Sequence, residues 1–206
     1  MKKLLRKFAV ALLFVLPFCK PAQAQVSVGP EVGFTAAGLY SNQDDVYAGI
    51  NGHFGVTAHI QLGNFFAVRP SLLFKSGSMA YTDDDQEKIA LTRISIPVPV
   101  MYSHVFDNGG MLFAGAGPNF MYSFSGKYKY GSESQKIEFG SGEEQMKPFD
   151  IGLHLKAGYQ FSNGLALSTF FNAGFTNLNN VDGQQFKSLD AIGFSIGWMF
   201  GDKSEY

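Results

Sequence analysis

Residues 149–176 alternate between apolar and polar side chains with a period of two, and this pattern constrains the fold more than any other feature of the sequence. Two alternating runs, 149–161 and 165–176, flank the tripeptide Ser162-Asn163-Gly164. A period of two is that of a β-strand with one apolar and one polar face. An Asn-Gly step between two such strands is typical of a hairpin turn. The sequence therefore predicts a long amphipathic β-hairpin.

The same alternation recurs along the chain and predicts eight strands. They are 25–40, 47–62, 65–75, 89–106, 111–125, 149–161, 165–176 and 188–200. Short connections at 63–64, 107–110 and 162–164 alternate with longer ones at 41–46, 76–88, 126–147 and 177–187. Even strand number and alternating loop length are typical of barrels that span an outer membrane. The predicted fold is all-β, an eight-stranded antiparallel up-and-down transmembrane β-barrel with both termini in the periplasm.

Two proline residues interrupt the regularity of the fourth predicted strand. Pro97 and Pro99 each remove a backbone donor from the ladder, so we expect a bulge or a locally weakened ladder there.

The two faces of the strands predict which side meets lipid. In a transmembrane barrel the apolar face points outward, whereas a soluble barrel that binds a small ligand, as lipocalins do, has its apolar face inside. The orientations of Ile151, Leu153 and Lys156 distinguish these alternatives. Aromatic residues near the strand ends predict two interfacial girdles. The first comprises Phe66, Tyr102, Phe106, Tyr159, Phe161, Trp198 and Phe200, and the second Tyr40, Tyr47, Phe74, Tyr122, Phe124, Phe149 and Phe175.

The first 24 residues have the pattern of a cleaved signal peptide. A basic start precedes the apolar run 8–18, and Ala22-Gln23-Ala24 fits the small-x-small cleavage pattern. We expect cleavage between Ala24 and Gln25, a barrel over 25–200 and a short periplasmic tail over 201–206. Lipidation of Cys19 is a weaker alternative, because the bulky Phe18 precedes it.

The predicted mature chain is acidic and has no cysteine. The first 24 residues carry five of the 16 basic residues and no acidic one, which leaves 11 basic and 17 acidic residues. A basic surface for nucleic acid is therefore not expected. Cys19 is the only cysteine, so stability must come from something other than disulfides, such as a closed hydrogen-bonded barrel.

The polar row carries the residues on which any chemistry would depend. They are Glu31, His53, His59, Arg69, Lys75, Arg93, Asp150, His154 and Lys156. An eight-stranded barrel is about wide enough for its own side chains, so we expect these residues to form a paired polar network that plugs the lumen. The histidines lack the spacing of a metal site, and no GxSxG motif supports a hydrolase. We predict no catalytic residues, no metal and no cofactor.

A resemblance to a known family covers essentially the whole chain after residue 24. ISIPVPVMYSHVF at 94–106, GAGPNF at 115–120, residues 149–178 and FSIGWMF at 194–200 resemble the PorT-like outer-membrane β-barrel family common in Bacteroidetes, itself similar in size to OmpX- and OmpA-type barrels. The resemblance implies insertion by the barrel-assembly machinery, with Trp198 and Phe200 in the closing strand as the signal. It also implies, for some members, an accessory role in protein secretion.

The expected function is a non-enzymatic structural or interaction role in the cell envelope. Expected partners are outer-membrane lipid and lipopolysaccharide, the barrel-assembly machinery during insertion and an envelope protein. One alternative is the secretion role that the resemblance implies. A second alternative is adhesion or ligand binding through the long loop 126–147, because loops on rigid scaffolds often carry function.

Overall fold

The computed structural model describes residues 25–41, 46–81, 87–181 and 183–201, and it is all-β. The predicted signal peptide and residues 202–206 lie outside this range. The strands are β1 Val26–Ser41, β2 Val46–Gln61, β3 Phe66–Val68, β4 Ser71–Tyr81, β5 Glu87–Pro97, β6 Val100–Val105, β7 Met111–Tyr130, β8 Glu133–Lys136, β9 Phe149–Gln160, β10 Leu165–Gly174, β11 Phe186–Trp198 and β12 Phe200–Gly201. Among the described residues, no helix has the length and hydropathy needed to cross a membrane.

The strand pairing closes the sheet on itself. Three pairs of short strands, β3 with β4, β5 with β6 and β11 with β12, each form one interrupted strand of the wall. Every wall strand is antiparallel to its sequence neighbours, from β1 and β2 through β7, β9 and β10 to β11. Strand β11 then pairs with β1 and completes the ring. The prediction of an eight-stranded antiparallel up-and-down barrel is confirmed.

The hairpin at 149–176 has the predicted turn. Gly164 adopts a φ of 96°, a conformation that glycine reaches without steric cost. The backbone amide of Phe161 donates to the carbonyl of Leu165 at 2.7 Å and closes the turn. We call the barrel end with this turn and the short connections at 62–65 and 106–110 the turn end, and the opposite end the loop end.

Proline interrupts the wall strand formed by β5 and β6 without changing its register. Pro97 lies opposite Asn119 and Val100 opposite Ala116, so the strands stay aligned across the break. The amide of Val98 still donates to the carbonyl of Pro118 at 2.9 Å. The ladder is locally weakened as expected, but the bulge of this strand pair lies elsewhere, where the register shifts between Thr92 and Arg93.

Several predicted loops are shorter than the sequence pattern indicates. Strand β4 continues to Tyr81, and β5 begins at Glu87. Strand β7 continues to Tyr130 and pairs with β8, so the predicted loop 126–147 begins with a β-hairpin. These extensions are polar on the outer face, which hides the alternation that marks the other strands.

The wall has its apolar face outside and its polar face inside. Ile151 is 41% exposed and Leu153 is half-buried, whereas Lys156 is only 5% exposed. This orientation is the reverse of that in a soluble ligand-binding barrel. Tyr47 is the exception among the predicted girdle residues: it is buried inside, and its hydroxyl hydrogen-bonds to the carboxylate of Glu87.

Outward aromatic rings contact one another near both ends of the barrel. At the turn end the ring of Tyr102 lies 6.2 Å from that of Phe66. Toward the loop end Phe74 contacts Phe54 and Phe124, with ring centroids 5.1 and 5.9 Å apart. Two belts of aromatic side chains are typical of the interfaces of a membrane-spanning barrel.

Candidate functional site in the barrel interior

The barrel interior is layered, with apolar clusters at both ends and polar side chains between them. The turn-end cluster consists of Ala67, Met101, Met111 and Phe113 with Val105. The loop-end cluster consists of Ala37, Leu39, Tyr47, Met79, Ile89, Leu91 and Leu178, packed against Tyr128, Ile137, Phe139, Met146 and Phe186. The apolar layers separate the polar middle from water at either mouth.

All nine polar residues singled out in the sequence lie in this interior. Glu31, His53, His59, Arg69, Lys75, Arg93, Asp150, His154 and Lys156 are each between 2% and 5% exposed. Buried charges are costly unless they are paired or hydrogen-bonded, so their partners decide what the interior can do.

The first ion pair joins opposite sides of the ring. Lys156 on β9 donates to both carboxylate oxygens of Glu31 on β1, at 2.6 and 2.8 Å. The guanidinium of Arg69 also lies within electrostatic range of Glu31. A single carboxylate therefore faces two buried cations.

The second ion pair uses an acid that strict alternation does not place inside. Lys75 on β4 pairs with Asp190 on β11, which also accepts a hydrogen bond from the side-chain amide of Asn172 at 2.7 Å. In a regular strand residues 190 and 192 share a face, so the outward Ile192 would place Asp190 on the lipid face as well. A bulge at Ala191 adds one residue to β11 and turns Asp190 inward. An acid on an otherwise apolar outward row is the sequence signal that indicates such a bulge.

Two inward phenylalanines that the sequence analysis did not single out contact the buried cations. The guanidinium carbon of Arg69 lies 4.1 Å from the ring centroid of Phe113, a distance typical of cation–π contacts. Phe170 contacts both central histidines, with ring centroids 5.2 Å from His53 and 5.9 Å from His154. Its ring also lies 5.6 Å from the ammonium of Lys75.

Neutral groups hold two other predicted residues of the network, Asp150 and His59. The carboxylate of Asp150 accepts from the Ser188 hydroxyl at 2.6 Å and from the backbone amide of Thr176 at 3.2 Å. The His59 ring hydrogen-bonds to Gln61 at 3.0 Å. Arg93 lies directly opposite Lys75 across the β4–β5 ladder.

A serine, a histidine and a glutamate meet in the interior, but their geometry differs from that of a catalytic triad. The Nε2 atom of His53 lies 3.0 Å from the Ser195 hydroxyl and 3.9 Å from the Glu31 carboxylate. In a triad the nucleophile and the carboxylate contact opposite ring nitrogens. Here both face the same nitrogen, and an interior void lined by Glu31, His154 and Phe170 holds about 10 Å³. That volume accommodates about one water molecule and no substrate.

The three interior histidines do not converge on one position where they could bind a metal ion together. His53 and His154 both pack against the ring of Phe170, and His59 lies farther along β2 toward the turn end. Within the part of the chain that the structure describes, no three His, Cys, Asp or Glu side chains are close enough to share an ion.

Comparisons with known proteins agree with this architecture. A family model described as an outer membrane protein beta-barrel domain matches residues 21–180. The chain belongs to this family of outer-membrane β-barrels. The family indicates an outer-membrane location, while membership in the narrower PorT-like group stays a prediction. No curated protein matches the sequence.

Several solved structures are similar to this outer-membrane barrel at low sequence identity, and among those named here only OprG supports a shared fold. OprG from Pseudomonas aeruginosa is 10% identical, with a TM-score of 0.51 over 87% of this chain and 96% of that one. Neisserial surface protein A is 11% identical, with a TM-score of 0.49 over 85% and 97% of the two chains. The attachment invasion locus protein of Yersinia pestis is 11% identical, with a TM-score of 0.41 over 85% and 99%.

The residues predicted to direct processing and assembly lie at the ends of the described residues, except for Ala24. Ala24 lies outside the described residues, and the carbonyl of Gln25 accepts from the amide of Gln61 at 3.1 Å. Trp198 ends β11 and is 41% exposed, while Phe200 lies in β12 opposite Val28 and is 61% exposed. Both rings face outward at the turn end.

Proposed function

We propose that this outer-membrane barrel is a non-catalytic scaffold with a structural or interaction role in the cell envelope. Its interior carries the proposal: the polar middle is filled by buried side chains that include two ion pairs, and apolar clusters lie at both ends. A filled interior offers neither a reaction site nor a path for solutes. The function then resides in the surfaces, which are the lipid-facing wall and the connections at the loop end.

The loop end supports an interaction role because two of its long connections are tied together. The side-chain amide of Asn180 donates to the carbonyls of Gly140, Gly142 and Gln145 at 3.0, 3.0 and 2.7 Å. The ammonium of Lys147 donates to a backbone carbonyl of the other connection, that of Asn179, at 2.9 Å. Their undersides contribute apolar side chains to the loop-end cluster. The result is an ordered platform suited to contact a surface or a protein partner.

The proposed orientation places this platform outside the cell and the short turns and both termini in the periplasm. Short periplasmic turns and longer outer loops are the usual arrangement of such barrels. Outward aromatic rings at the turn end, including Trp198 and Phe200, agree with a closing strand read by the barrel-assembly machinery. A secretion role of the PorT-like kind would use the same platform or the periplasmic turns, and it requires a stable envelope partner that crosslinking in cells would recover.

Four measurements on the full chain test the proposal. Carbonate extraction should leave the protein in the membrane pellet, and unheated gel samples should migrate faster than heated ones. In planar bilayers the purified barrel should produce no stepwise conductance. Protease added to intact cells should cleave within 140–144, which are largely exposed. Release by carbonate would contradict the membrane location, and regular conductance steps would contradict a closed barrel interior. Cleavage only after the outer membrane is opened would contradict the placement of the loop end outside the cell.

A further inference from the structure

Four exposed lysines cluster on one face of the sheet that extends the barrel at its loop end. Lys88 on β5 lies directly opposite Lys129 on β7, and Lys127 on β7 lies directly opposite Lys136 on β8. Lys127 and Lys129 are two residues apart and therefore share a face. We call these four residues the lysine grid. All four side chains are exposed.

The grid is held in place by the opposite face of the same strands. Ile89, Tyr128 and Ile137 alternate with the lysines and pack into the loop-end cluster. A slip of one residue would turn these apolar side chains outward, so the register is fixed. Like charges directly opposite each other in a sheet destabilise it. The fold therefore holds four ammonium groups in an arrangement that a bound anion would relieve.

Nearby acids do not neutralise the grid within the part of the chain that the structure describes. The ion pairs formed there all lie in the barrel interior. Glu87 and Glu133 belong to the same strands, but both lie opposite Tyr130 on the other face. Glu138, beyond the end of β8, accepts a hydrogen bond from the side-chain amide of Gln145 at 3.3 Å and takes part in none of those ion pairs. The grid also stands out because the chain after residue 24 has more acidic than basic residues.

The position of the grid relative to the wall indicates which anion it takes. Phe124 belongs to the outward aromatic belt and lies on β7 three residues before Lys127. With a rise of about 3.3 Å per residue, the grid begins about 10 Å farther along the strand. On β5, Lys88 continues the outward row that includes the exposed Ile94 and Ile96. The grid thus lies just above the lipid-facing wall, at the height of lipid headgroups.

We propose that the lysine grid binds the phosphorylated headgroup of a lipid in the outer leaflet around the barrel. Lysine is a suitable point charge for phosphate, and basic residues beside a membrane are attracted to anionic lipid. A lipid whose tails lie against the apolar wall presents its phosphates at the grid without leaving the membrane. The inference deepens the proposed function and rests on its orientation, with the loop end outside.

The test compares Lys127→Gln/Lys129→Gln with Lys187→Gln in the full barrel, purified in a neutral detergent. Lys187 is an outward, exposed lysine near the loop end on β11, opposite Tyr40, and it lies away from the grid. Native mass spectrometry measures the affinity for diphosphorylated lipid A and for its dephosphorylated form. Each grid lysine should contribute about fivefold, so the double variant should bind roughly 25-fold more weakly. The control should change less than twofold.

Separate outcomes distinguish the grid from the proposed orientation. Equal affinity of the double variant and the wild type, or equal binding of the dephosphorylated lipid by the wild type, would overturn the inference. Competition by inorganic pyrophosphate or a heparin oligosaccharide at concentrations similar to the lipid would also overturn it, since the surface would then take a soluble anion. Both variants should keep their heat-modifiable migration. A failure of protease cleavage on intact cells, with the lysine-dependent affinity preserved, would overturn the orientation and not the grid.

Discussion

The substitution Glu31→Gln should destabilise the barrel more than any other single change to the interior pairs. Glu31 is 4% exposed and accepts from Lys156 at 2.6 and 2.8 Å, and it is also the acid that attracts Arg69. The neutral amide leaves two buried cations without an anion. Breaking a buried ion pair from one side costs about 3–5 kcal/mol, and the second cation places this change at the upper end of that range.

The reverse substitution should cost less, which makes the prediction specific. Lys156→Met removes one cation, while Glu31 keeps Arg69 as an electrostatic partner. We expect a loss of about 3 kcal/mol, which is the lower end of the range for breaking a buried ion pair from one side. Glu31→Gln leaves the ammonium of Lys156 buried without an anion, and Lys156→Met removes that ammonium. The double variant should therefore be more stable than Glu31→Gln alone.

Unfolding in urea from phospholipid vesicles measures these free energies. Trp198 is the only tryptophan and faces outward at 41% exposure, so its fluorescence reports departure from the lipid. Asp150→Asn is the matched control, because the carboxylate of Asp150 is held by neutral donors and not by a cation. This variant should lose no more than about 2 kcal/mol of unfolding free energy. The reasoning is refuted if Glu31→Gln lies within about 1 kcal/mol of the wild type, or if the double-mutant cycle yields less than about 0.5 kcal/mol of coupling.

Three further changes test the packing of the wall and the loop platform. Gly193→Ala places a methyl group 2.2 Å from the Phe170 ring and should cost about 1–3 kcal/mol in the same unfolding assay, whereas Gly52→Ala, with no atom closer than 4.0 Å, should be nearly neutral. Deletion of Ala191 takes the extra residue out of β11 and makes Asp190 the neighbour of the outward Ile192, so regular alternation keeps its carboxylate inward; the loss should stay well below the roughly 3–5 kcal/mol that breaking the buried pair costs, and a loss of that size would contradict the assignment of Ala191 as the bulged residue. Asn180→Ala removes the donor to three loop carbonyls and should speed proteolysis within 140–144 without changing the unfolding midpoint.

The interior network shows where sequence reasoning reached its limit. Alternation places Glu31 and Lys156 on the inward face, since one parity holds over the whole of each strand. It cannot tell that they meet, because they lie 125 residues apart in sequence and their contact depends on closure of the ring. Phe170 and Phe113 follow the inward parity, but only the packed structure places them against histidine and cation.

The sequence by itself determined the architecture: strand number, the short and long connections, and which face meets lipid. These follow from local rules of period and turn chemistry that each hairpin obeys independently. Only the tertiary structure decided the inward turn of Asp190, the burial of Tyr47 and the register that opposes Lys88 to Lys129 and Lys127 to Lys136. A single inserted residue reverses parity, and cross-strand neighbours depend on how distant strands align. The position of a bulge and the alignment of distant strands are both properties of the assembled sheet, and the sequence of a single strand does not determine them.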